Sequence, residues 1–511
     1  MIDIEIPFGN SQGSATRGSA PGIVAGHIIA KLPDGSEVLR MAEPEPLTDP
    51  AAALREALAR PIESKPLAAI AAEKMARARA AQRAPRACIV VSDNTRPVPY
   101  AGPNGILMPV VRVLTAVGFS PRDICVLVAT GTHRAMSRAE LERMLGVESF
   151  ELGLDVALHD CLDEGNLTHI GTTARGTVAK INRRYVEADL KILTGLVESH
   201  FMAGASGGRK AICPGIFGEQ GTFIFHSAAL MAHPNARDLQ IEGNPVHEES
   251  LAVAKMAGVD FIVNATIDGT FRTTGVFCGD LEAAHAAAVA KLKSYVGIPI
   301  AHQYDLVVSH GGFVAVNHYQ AAKAAVASLG ALKAGGGLIL VANNTDPNPV
   351  GSDRYRTVLS MLKLVGAEAL DRALASPDWP FVPEQWQVQE WSKVFKRISV
   401  RDFVYFAPQL DRRDWRDLPG IDGRTLLASR SAHQSAATPR ATGAPDKVAT
   451  ASESASPSPT ADDIPAVIDV AVADFLEKRG FTPADVASGR CRIAYLADGP
   501  YGIPLYAGAR L

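Results

Sequence analysis

The chain has 511 residues, 47% of them apolar and 21% charged, with a net charge of −3. That length exceeds what one hydrophobic core supports and predicts two or more domains, while the small negative charge excludes the basic footprint of a nucleic-acid binder. The opening MIDIEIPFGN lacks the basic and apolar regions of a secretory signal, and no apolar run reaches the ~20 residues of a membrane helix, so neither nucleic acid nor membrane is expected as a partner.

In chain order, the alternation of Ile2, Ile4 and Ile6 and the run from Ile28 to Leu39 predict an N-terminal β segment. Residues 48–84 are Ala-, Arg- and Glu-rich with helical spacing, opening at Thr48-Asp49-Pro50 as a cap and first turn. ACIVVSD (87–93) is a short apolar run of the kind expected of a buried parallel strand, and it ends in the polar NTRPVP. A helix from Gly105 to Val117 leads to a second such run, ICVLVAT (124–130), which ends in GTHR. A helix over 137–145, an Asp-rich loop (155–165) and a third run, EADLKILTGLV (187–197), follow. Buried strands whose carboxyl ends carry the polar residues are the pattern of a doubly wound α/β sheet. FIVNATID (261–268) and an Ala-rich helix over 282–295 complete this half, and the pattern restarts after Gly297-Ile-Pro299. YDLVVSHGG (304–312), a helix from Tyr319 to Leu332 and GGGLILVAN (335–343) begin the second half.

The fold expected is therefore two doubly wound α/β domains with the active site in the cleft between them. Residues 1–297 form the first domain and 298–410 the second. The Ser-, Ala-, Thr- and Pro-rich stretch 411–463 reads as a disordered insertion. A helix (464–478), the strand CRIAYLA (491–497) and the turn DGPYGIP, all within 464–511, complete the fold. The six cysteines form no C-x-x-C pair and read as reduced thiols of a cytoplasmic protein.

Chemistry concentrates in residues 195–226, GLVESHFMAGASGGRKAICPGIFGEQGTFIFH. Gly207-Gly208 before Arg209-Lys210 gives a backbone able to curl and turn N–H groups toward an anion, with His200 and His226 on either side. A P-loop needs Ser or Thr after the lysine, and Ala211 stands there; no G-x-G-x-x-G fingerprint is present in the stretch. Asp93 and Arg96 in SDNTRPVP and His133 in ATGTHR lie at two other strand ends. An arginine at such a place suits bidentate grip on a carboxylate or phosphate, or else a surface ion pair. Tyr319, Gln320 and Lys323 in NHYQAAKA share one face of a helix start.

Taken together and in order, SD-x-TRP, GTHR, His200 with Lys210 ten residues on and His226 sixteen beyond it, and Y-Q-x-x-K resemble the nickel-pincer-nucleotide-dependent lactate racemase (LarA-like) family. The resemblance covers nearly all of 80–400 and the closing DGPYGIP; Ser199 stands where the family has proline. It implies a racemase or epimerase of a 2-hydroxy acid. Lys210 would bind the nickel pincer nucleotide (nickel pyridinium-3-thioamide-5-thiocarboxylic acid mononucleotide) as a thioamide, with Asp93 contacting it and His226 ligating the nickel (Ni). His133 and His200 would be the two bases, one for each face of a planar intermediate. One would take the hydroxyl proton while the α-hydrogen would move to the cofactor as hydride. Arg96, Tyr319, Gln320, Lys323 and Trp386 would hold the substrate, and the cofactor-synthesis enzymes would be partners. The family-like GTTARGTVAKINRRYVEADL (171–190) would support the site or the cofactor phosphate. The rival readings are a nicotinamide-dependent 2-hydroxy acid dehydrogenase and a non-catalytic carrier of the pincer cofactor.

Overall fold

The computed structural model describes residues 1–8, 26–429 and 460–506. They fall into two compact units, Ala42–Gly297, and Met1–Met41 with Ile298–Leu511.

The Ala42–Gly297 unit is built on a six-stranded sheet in the order Thr273–Gly279, Phe261–Ile267, Leu190–Leu196, Ala87–Ser92, Ile124–Ala129, Asp155–Leu158. Every neighbouring pair is parallel except Thr273–Gly279 with Phe261–Ile267. The inner strands are apolar on both faces because helices cover both, as parallel sheets require. On one side Leu67, Ala71 and Met75 of the Leu67–Ala80 helix and Val110, Val111 and Leu114 of Leu107–Val117 join Ile89, Val91, Val126 and Ile192 in one core. Residues 48–84 form two helices, Pro50–Ala59 and Leu67–Ala80, because Pro61 and Pro66 interrupt the single helical pattern. The Asp-rich stretch expected as a loop supplies the edge strand Asp155–Leu158. The chain runs outward from Ala87–Ser92 to that edge, then returns to Leu190–Leu196 on the other side. The direction of winding thus reverses between Ala87–Ser92 and Leu190–Leu196, whose carboxyl ends are where such sheets bind ligands.

The other unit carries an all-parallel six-stranded sheet in the order Ile421–Asp422, Phe403–Phe406, Leu332–Val341, Tyr304–His310, Ile493–Leu496, Glu37–Leu39. Three differences from expectation stand out. Residues 1–41 do not join a 1–297 domain, because Glu37–Leu39 pairs with Ile493–Leu496 and the hairpin Ile2–Pro7/His27–Leu32 packs Ile4, Ile6, Ala30 and Leu32 on the helix Ile464–Lys478. The helix expected from Tyr319 to Leu332 spans His318–Ala327, since the chain tightens into a 3-10 turn over Ser328–Gly330 and the strand Leu332–Val341 follows at once. The start of the 411–463 insertion is structured. Ile421–Asp422 extends the sheet, Leu418 is fully buried, and Arg356 pairs with Asp414 and Asp417 at 3.1 and 2.9 Å. Most of the remaining insertion, 430–459, lies outside the described residues.

Candidate active site

Three adjacent strands of the Ala42–Gly297 sheet, Leu190–Leu196, Ala87–Ser92 and Ile124–Ala129, deliver His200, Asp93 with Arg96, and His133 from their carboxyl ends. Asp93 is buried and its Oδ2 lies 2.7 Å from His133 Nδ1. Its Oδ1 accepts from the hydroxyl of Thr95 at 2.6 Å and from the Thr95 N–H at 3.2 Å. Burial works to raise the Asp93 carboxyl, but the hydrogen bonds from His133 and Thr95 outweigh it and hold the group below the ordinary carboxylate range. The carboxylate therefore fixes the ring of His133, half of whose side chain remains open to solvent. Arg96 faces Glu198 at 3.2 Å, both about a third exposed, so the ion pair read as the bland alternative does exist.

His200 sits on a two-residue ladder in which Ser199 pairs with Ala205 and His200 with Gly204. Gly204 has φ +78°, and a Cβ there would stand 2.2 Å from Gln240 O; Gly207 has φ +76°, and a Cβ would meet Val197 Cγ2 at 2.7 Å. Only glycine fits this curl. The turn brings Lys210 Nζ to 3.0 Å from His200 Nε2. His226 follows the short helix Thr222–Phe225. Removal from solvent, with the nearby charge of Lys210, pushes its imidazole down to about 3, so the ring is neutral and keeps a lone pair for a metal. Among the described residues no group of three or more His, Cys, Asp or Glu side chains is placed to hold a metal ion.

Of the amides in the expected anion cradle, four are engaged within the fold. The amides of Ala205, Ser206, Gly208 and Lys210 are spent on Ala203 O, Glu198 O, Asn264 Oδ1 and Gly207 O. Arg209 is 1% exposed and donates to Ala203 O at 2.7 Å. The 171–190 stretch likewise serves the fold: Arg175 pairs with Glu248 at 2.9 Å and Glu249 at 3.4 Å, Thr173 donates to Glu249, and Arg184 pairs with Asp155.

In the other unit, the helix His318–Ala327 starts at the carboxyl end of Tyr304–His310, capped by Asn317 Oδ1 on the Gln320 N–H at 2.9 Å. Tyr319 OH accepts from Trp386 Nε1 at 3.0 Å, which joins two of the expected substrate residues directly. Gln320 Oε1 is buried without a hydrogen-bond partner among the described residues, and Lys323 is half-buried on the same helix. Behind them Trp391 Nε1 donates to Tyr355 OH at 2.8 Å, and that hydroxyl lies 2.8 Å from His318 Nδ1. Asn264, His285, Glu198 and His318 escaped the sequence reading; a polar residue inside an otherwise apolar strand, as Asn264 is in FIVNATI, was the available signal.

Comparison with known proteins places the chain in a family and a fold. The family model described as the lactate racemase N-terminal domain matches residues 25–238. A lactate racemase of Lactiplantibacillus plantarum is 34% identical over 325 residues, 63% of this chain and 73% of that protein. A lactate racemase of Thermoanaerobacterium thermosaccharolyticum is 30% identical over 407 residues, 79% of this chain and 88% of the relative. The solved apoprotein of a lactate racemase from T. thermosaccharolyticum superposes with a TM-score of 0.73 at 23% identity, covering 98% of this chain and 100% of that one, and so shares the fold.

Proposed function

The chain belongs to the lactate racemase family and is an enzyme of the isomerase class, and from that premise we propose that it racemises or epimerises a lactate-like 2-hydroxy acid with a nickel pincer nucleotide tethered to Lys210. The observation that carries the proposal is the Lys210 amine, 3.0 Å from His200 Nε2 on a turn that only glycine can make.

The residues present fit such a group. Gly204 and Gly207 leave no room for side chains around the turn, the amine stands beside an imidazole, and His226 is held neutral. Lys210 would hold the group covalently, and His226, a neutral imidazole, would offer one nitrogen ligand to its metal. When bound, the pincer nucleotide would supply an acceptor and donor of hydride.

The chain's own residues then have distinct tasks. His133, oriented through Nδ1 by Asp93, presents Nε2 for the hydroxyl proton of one enantiomer. His200, whose Nδ1 accepts from the Met202 and Ala203 N–H groups and whose Nε2 faces Lys210, serves the other enantiomer. Arg96 exchanges Glu198 for the substrate carboxylate, and its planar fork fixes the acid in one orientation. Gln320, Lys323, Tyr319 and Trp386 hold the carboxylate and α-oxygen, with the buried Gln320 Oε1 available to accept a hydroxyl. The cofactor-synthesis enzymes supply the group.

A panel of single-enantiomer 2-hydroxy acids, incubated with protein co-produced with those enzymes and resolved by chiral chromatography, tests the proposal. Inversion of at least one acid, absent in Lys210→Ala, is expected. Protein that carries the mass adduct yet inverts none is a carrier, and turnover that requires added NAD identifies a dehydrogenase.

A further inference from the structure

Among the described residues Arg209 is the most buried lysine or arginine, 1% exposed, and none of its hydrogen-bond partners there is a carboxylate. Its NH2 donates to Ala203 O at 2.7 Å, and its NH1 lies 3.5 Å from Gly207 O and 3.0 Å from His285 Nε2. His285 Nε2 is also 2.8 Å from Ser206 O. One ring nitrogen either donates to that carbonyl or accepts from the guanidinium, and either choice ties the turn to the Ala283–Val296 helix. Asn264, fully buried on the Phe261–Ile267 strand, accepts the Gly208 N–H through Oδ1 at 3.0 Å and reaches Gly195 O through Nδ2 at 3.4 Å. A buried guanidinium without a counter-ion is costly to keep. What it obtains here is a grip on carbonyls 203 and 207, which lie between His200 and Lys210.

We propose that Arg209, Asn264 and His285 are positioning residues that lock the 203–208 turn and thereby set the approach of the Lys210 amine to His200. The assignment concerns the turn itself, and it rests on the functional reading only for its consequence in catalysis. An error of about an ångström in such a placement costs on the order of 100-fold in rate.

Acetic anhydride labelling of the cofactor-free chain at neutral pH, read by peptide mass spectrometry, reports Lys210 against the exposed Lys293 in the same digest. Arg209→Met keeps the stem without donors. Asn264→Leu removes both hydrogen bonds, whereas Asn264→Asp retains an acceptor for Gly208. Both apolar variants are expected to change the Lys210-to-Lys293 ratio by about tenfold, with Asn264→Asp restoring it to within about twofold. An unchanged ratio in Arg209→Met and Asn264→Leu overturns the proposal. Should neither fold, hydrogen exchange of the unsubstituted chain decides. The amides of Ser206 and Gly208 should exchange as slowly as those of the Leu190–Leu196 strand, and fast exchange there overturns the lock. In protein co-produced with the cofactor, Arg209→Met should lower the adduct fraction and kcat while leaving KM near that of the unsubstituted enzyme. Absence of any adduct in the unsubstituted protein would count against the tether at Lys210 and leave the labelling result standing.

Discussion

Lys210 Nζ lies 3.0 Å from His200 Nε2 while the N–H groups of Ala203 and Met202 point at His200 Nδ1 from 3.2 and 3.4 Å. A neutral imidazole has a single acceptor nitrogen, yet donors face both. Whichever ring nitrogen carries the proton, the Lys210 amine is tied to His200. The contact makes the reactivity of Lys210 depend on His200.

Lys210 should accordingly be acylated faster than the exposed Lys293 at neutral pH, by on the order of tenfold, and His200→Phe should abolish the difference. Intact mass of protein made with the cofactor-synthesis enzymes should show an adduct that Lys210→Ala lacks. An adduct that survives this substitution would place the tether on another residue.

The Asp93–His133 pair predicts a second outcome. Asp93→Asn keeps the shape but removes the charge that orients the ring, so kcat should fall on the order of 100-fold with KM little changed. A loss confined to KM would make Asp93 a binding group.

Arg96 and its Glu198 partner predict a third. Lysine at 96 retains the charge but loses the fork. Arg96→Lys should raise KM for the acid by about tenfold. An unaltered KM would return Arg96 to the role of a surface ion pair.

How much of this was legible in the sequence depends on range. The strands ending at Ser92, Ala129 and Leu196 declared themselves because each is a continuous apolar run followed by polar residues, a local signal. The domain boundary at Gly297/Ile298 was readable for the same reason. The partner of Glu37–Leu39 lies more than 450 residues away in Ile493–Leu496, and nothing local announces such a pairing. Asp93, His133, His200 and Lys210 could be found by motif, but their pairing could not. The roles of Arg209, Asn264 and His285 were hidden because they act through backbone carbonyls and an amide, groups every residue possesses.

Buried histidines predict acid lability. Burial pushes His318 down to about 3 and His310 to about 4, and burial with the Arg209 charge pushes His285 to about 3. Unfolded histidine takes up its proton near 6.5, whereas these rings do not until far lower pH. Their stabilising contribution is therefore complete above pH 6.5 and declines as pH falls toward 3–4. At about pH 5 each costs on the order of 2 kcal/mol. Urea midpoints should fall steadily between about pH 7 and pH 5, and His318→Gln should flatten the slope. A midpoint independent of pH across that range would show that these rings titrate normally in the fold.

The central claim is that the α-hydrogen travels as hydride and the two histidines handle only the hydroxyl proton. Racemisation by simple enolisation would have His133 or His200 remove that hydrogen as a proton and exchange it with water. One enantiomer of the active 2-hydroxy acid, deuterated at Cα, distinguishes the two when its inversion by loaded enzyme in ordinary water is followed by NMR. The account predicts slower inversion than for the protonated acid and a product that keeps most of its deuterium. Loss of the label to water at the rate of inversion would contradict it, even with an adduct on Lys210 and nickel at His226.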